Sequence, residues 1–172
     1  FNEIKNNLNQ CIDAIDSLVA DANKLAKAAI DGKLDTRADA TKHLGEFRAI
    51  VQGVNNTLDS VIGPLNVAAE YVDRISKGDI PPKITDEYKG DFNAIKNNLN
   101  NLINALNEVV LKSQAVAKGD LTISLQKRSE NDNLMGALDD MVKANSLIIN
   151  EFKIAIENIV LASQQLQSVA IQ

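Results

Sequence analysis

The chain has no tryptophan, one histidine (His43), one cysteine (Cys11), three prolines and only 3% aromatic residues. A single cysteine excludes an internal disulfide and fits a reducing compartment. Spaced among apolar neighbours, Cys11 reads as a small core hydrophobe. His43 has no cysteine or second histidine with which to share a metal, so it reads as solvated loop, together with Thr41 and Gly45. Lysine and arginine number 18 against 23 acidic residues, giving a net charge of −5. No basic cluster stands out, which argues against nucleic acid or anionic lipid as a ligand. No apolar run approaches the ~18 to 20 residues that span a bilayer, and no signal-peptide pattern is present. There is no Ser/His/Asp or Cys/His set, no phosphate-binding glycine loop and no metal-ligand spacing. These absences predict a non-enzyme with no cofactor and no small-molecule ligand. Because Phe1 already lies inside a helical pattern, the chain reads as an excised fragment, and its parent can still be membrane-attached.

What is present is a repeat. Three stretches share one spacing of glycine, apolar and apolar: Gly32/Leu34/Ala38, Gly78/Ile80/Ile84 and Gly119/Leu121/Leu125. The glycines lie 46 and 41 positions apart, and 14 or 15 positions after each comes a large apolar residue: Phe47, Phe92, Leu134. Residues 92–100 match residues 1–9 at eight of nine positions, so residues 1–15 read as the second half of a truncated repeat.

Between these connectors the apolar residues recur alternately three and four apart. Phe1, Ile4, Leu8, Cys11, Ile15, Leu18, Ala22, Leu25 and Ala29 form the clearest series, the seam of a coiled coil. A second runs from Phe47 through Ile50, Val54, Leu58, Val61, Leu65, Ala68 and Val72 to Ile75, with an irregular step at 50–58. Pro64 falls inside it, predicting a kink or a new helical unit starting there. The third series runs from Phe92 to Val116, and the last from Leu134 to Val169 with Asn145 on its seam.

Two arrangements can bury such seams. A monomeric up-and-down bundle needs turns of only ~2 to 8 residues. A connector of about 14 residues reaches ~46 to 50 Å when extended, enough to climb back along a 16-residue helix that rises ~24 Å. The connector then returns the chain so that the next helix runs parallel to the last. Two parallel helices leave an apolar face open, and a second copy of the chain covers it symmetrically. The fold read from the sequence is therefore all-α: parallel four-helix coiled-coil units stacked end to end as a homodimeric rod. The alternative is an antiparallel helical bundle acting as a ligand-binding sensor.

The glycine and its two spaced hydrophobics resemble the connector of the HAMP domain, the relay module of bacterial chemoreceptors and sensor histidine kinases. Glu46 and Asp91 resemble the acidic residue that opens the family's second helix. Asp132-Asn133-Leu134 resembles the same opening with asparagine in the usual glutamate's place. Pro64 matches a proline common in the family's first helix, which the other two repeats lack. The resemblance implies a half unit at 1–15, tandem HAMP units at 16–62, 63–107 and 108–150, and a coiled-coil lead-in to an output domain at 151–172. It implies a methyl-accepting chemotaxis protein or related sensor kinase as parent, coupled to the chemotaxis kinase and its adaptor, with this part in the cytoplasm. Gln164-Gln165 fits a receptor methylation pattern only partly, since Val160 and Leu161 stand where small residues are usual; it reads as a solvated helix face.

Overall fold

A computed structural model describes residues 1–170; Ile171 and Gln172, the end of the expected lead-in segment, lie outside the described residues. Four helices account for most of the chain: α1 (Asn2–Ile30), α2 (Gly45–Ser76), α3 (Gly90–Ala117) and α4 (Asn133–Ala170). No strand occurs among the described residues, and a 3-10 turn at Ala40–Lys42 interrupts the first connector. The all-α expectation holds. The chain divides into two compact units, Phe1–Leu99 and a second beginning at Asn100.

Helices α1, α2 and α3 end in the same way. Gly32, Gly78 and Gly119 take φ of 72°, 80° and 88°, the left-handed region that costs glycine nothing. In each case the glycine N–H bonds the carbonyl three residues back, and the next N–H reaches five back: Lys33 to Ala28, Asp79 to Arg74, Asp120 to Ala115. This reciprocal pair of bonds satisfies the last orphan carbonyls and throws the chain backwards. The glycine of the repeat is thus the helix stop.

The connectors climb. In the first, Lys33 sits beside Ala28 whereas His43 sits beside Asp21, so the chain retreats along α1. On its other side Arg37 meets Asp59, Ala38 meets Asn55, and Ala40 meets Arg48, so α2 descends past the same connector. Both helices oppose the connector and therefore run parallel. In the second, Pro64, Val67 and Ala68, about two to three turns before the end of α2, share a cavity with Phe92, Ile95 and Leu99 at the start of α3. In the third, Leu121 and Ile123, next to the end of α3, lie against Asp139 to Leu147 of α4. An up-and-down bundle is incompatible with these neighbours.

Several local expectations are corrected. Helix α2 continues without a break through Pro64, so the helix does not restart there; Pro64 lines a cavity with Tyr88 and Phe92, packing that offsets the missing N–H. The helices open one or two residues before Phe47, Phe92 and Leu134, because Gly45 and Gly90, at φ 53° and 54°, turn the chain in. Many seam positions are open to solvent in the single chain: Ile4, Leu8, Ile15, Ile50, Val54, Val61, Leu65, Ile95, Leu102, Met141 and Ile148 are exposed, as are Cys11 and Asn145, while Leu18, Leu25, Leu58, Phe92, Leu99, Leu106, Val109 and Val116 are half-buried and Leu138 is buried. Besides Leu138 of the α4 seam, the chain by itself buries a second stripe, Val51, Ile62, Ile103, Met135 and Val142, with Ala38 and Ile84 from the connectors.

Candidate functional site: the connector grooves

Each connector lies in the groove between two parallel helices, and polar side chains hold the first one there. Ala38 is buried, and its backbone is clasped by one side chain: its N–H donates to Asn55 Oδ1 at 3.1 Å, and its carbonyl accepts from Asn55 Nδ2 at 2.8 Å. A small side chain at position 38 lets the backbone come this near the helix. Arg37 donates through Nε and Nη2 to Asp59 Oδ1 at 2.9 and 2.6 Å, and through Nη1 to the carbonyls of Leu34 and Thr36. Asp39 accepts from the Thr41 amide and hydroxyl, and these two bonds hold its carboxyl below the usual carboxylate range.

His43, read as solvated loop, is buried at 3% exposure. Its Nε2 lies 2.8 Å from Asp21 Oδ2. A carboxylate can only accept, so Nε2–H donates. Burial of a polar ring requires such a partner, and the acceptor sits on α1, 22 residues away in sequence, where no local pattern announces it. Leu34, expected as the first anchor, is 42% exposed, since the chain at that point has only just left the glycine turn; of the two apolar anchors expected here only Ala38 is buried. The groove beneath has a volume of about 420 Å³ and is lined by Leu18, Ala22, Leu25 and Ala29 of α1 and by Ile50, Val54 and Leu58 of α2.

The second connector is filled differently. Ile84 and Pro81 are buried and Ile80 is half-buried. Ile84, Tyr88, Phe92 and Pro64 leave a cavity of only about 10 Å³. Arg74 donates to Asp79 at 2.7 Å across the helix stop, which lowers the pKa of Asp79 and raises that of Arg74.

In the third connector Leu121 and Leu125 are half-buried. Its distinctive feature is Asp132, which caps α4. Oδ1 accepts from the Met135 amide at 3.1 Å, while Arg128 donates through Nε at 2.6 Å, Nη2 at 2.9 Å and its backbone N–H at 3.1 Å. The Arg128 side chain first, then these backbone donors, hold the Asp132 carboxyl far below its ordinary range. Glu46 and Asp91 lie exposed in the first turns of α2 and α3, where a negative charge complements the helix dipole. Asp132 stands one place earlier relative to the opening apolar residue, just ahead of the helix, and acts by capping instead. Leu134 is 52% exposed, and its neighbour Met135 is the fully buried residue.

Asn55, Asp21, Asp59 and Met135 were not singled out by the sequence reading. One signal was available. Asn55 stands eight residues after Phe47, Asn100 eight after Phe92 and Val142 eight after Leu134, an alignment that the seam pattern overlooks. Among the described residues no helix is long and apolar enough to cross a membrane. No curated protein and no solved structure matches the chain. Against family models, residues 42–108, which hold α2, the second connector and most of α3, match the HAMP domain. A HAMP domain, a signal-relay module between sensor and output domains, is found at residues 42–108.

Proposed function

We propose that the whole chain is a relay of tandem HAMP units, at 16–62, 63–107 and 108–150, preceded by half a unit at 1–15. Residues 151–172 lead into an output domain. It works as a homodimer and not as an enzyme, on the cytoplasmic side of a parent methyl-accepting chemotaxis protein or related sensor kinase, and it passes its state to the chemotaxis kinase and its adaptor. The observation that carries this reading is that one helix stop, one returning connector and one parallel helix recur three times while many large seam residues stay exposed. Each large seam side chain that a second copy covers contributes about 1.5–3 kcal/mol, so a row of them supplies a stable interface. The small seam residues Ala22, Ala29 and Ala68 keep that packing shallow, and shallow packing with two alternatives is what turns a small input into discrete states.

Light scattering tests the assembly: a mass twice the 18.6 kDa of one chain supports it, and a monomer at micromolar concentration contradicts it. Ala68→Leu tests the relay. Ala68 lines the 10 Å³ cavity, so a leucine there presses on its neighbours and biases the second unit to one packing, and the parent receptor loses its response. An unchanged response counts against the relay.

A further inference from the structure

The geometry points to a latch in the first connector, made by His43 and Asp21, that ties the connector's upper end to α1 as Asn55 ties its lower end to α2. Asp21 is the one charged residue lining the 420 Å³ groove, whose other walls are Leu, Ile, Val and Ala. It spends that position on the buried imidazole, at 2.8 Å. Ala38, five residues earlier, is held by the 2.8 and 3.1 Å bonds to Asn55. The connector is therefore a strap held to α2 along its length, by Asp59, Asn55 and Arg48, whose side-chain tie to α1 is His43 on Asp21. A slide of α1 along α2 by a single turn, about 5.4 Å, breaks the His43 contact, the Asn55 clasp or both. A hydrogen bond to a buried ring is made or lost, with little in between, because the unpaired ring is costly inside the protein. Motion of α1 is thereby passed to the connector as a discrete event.

The other connectors mark this as a local device. Eleven residues before the stop glycine stand Asp21, Val67 and Glu108, and four before the helix-opening apolar residue stand His43, Tyr88 and Glu130. In the second connector the pair is thus Val67 and Tyr88, both lining the small cavity. The latch stands on contacts within one chain and does not rest on the tandem-unit reading.

Hydrogen exchange on the full chain tests it, read at Lys42 and His43, whose amides close the 3-10 turn onto Asp39 and Ala40, and at Ala38, held by Asn55. Asp21→Ala is expected to speed exchange at 42–43 about tenfold, the loss of one net hydrogen bond, while Ala38 keeps its protection. Asp21→Asn, whose amide oxygen still accepts from Nε2–H, is expected to stay near wild type. Unchanged exchange at 42–43 in Asp21→Ala overturns the latch. So does an equal rise at Ala38, which means the whole connector was released, and so does an Asp21→Asn variant that behaves like Asp21→Ala.

Discussion

The first and second connectors leave their helices through the same turn and fill the return with different chemistry. The first presents Ala38 above a groove of about 420 Å³ and closes with His43 on Asp21; the second presents Ile84 and Tyr88 around a cavity of about 10 Å³. Yet both leave a glycine stop through the same pair of hydrogen bonds and both set parallel helices side by side. Side-chain volume in the groove therefore does not determine the path. The stop glycine and the length of the return do. Anchor size sets how much of each module's stability comes from its own chain and how much is left to whatever covers the seam.

That difference can be broken by mutation. Ile84→Ala should have the largest effect, about 2–4 kcal/mol in denaturant unfolding, because it empties the tighter module. It should make the second module resemble the first without altering helix content by circular dichroism. Asn55→Ala comes next, at about 1–3 kcal/mol, since it strands the part-buried N–H and carbonyl of Ala38. A cost for Asn55→Ala well above that for Ile84→Ala would reverse the comparison. The smallest effect belongs to Arg37→Ala. Asp59 is largely exposed, so the ion pair contributes under about 1 kcal/mol, and that contribution should fade as salt is raised in the same unfolding assay.

The repeat made much of this legible. Helix stops, connector lengths and seams follow from spacing alone, since 3.5-residue periodicity and a positive-φ glycine are local properties. The polar ties were not legible. Asp21 and His43 meet only because the connector climbs nine residues back along α1, and Asn55 lies between two seam positions, where a solvated asparagine looks the same as a clasp. The seam pattern also hid the second apolar stripe: Leu134 and Met135 are adjacent and equally apolar, but only Met135 faces the chain's own fold. Asp132 illustrates a third limit, because a one-place shift converts an acidic residue of the first turn into a buried cap whose role depends on Arg128.

The central claim, that two copies align in parallel and in register along the exposed seam, is tested most directly by the native cysteine. Cys11 is exposed on the α1 seam and is the only cysteine in the chain, so in such a pair the two thiols face each other at one level. Mild oxidation should convert most of the chain to a disulfide-linked dimer that retains its helix content. A chain that stays monomeric in light scattering and yields no cross-link under the same oxidation would contradict the account.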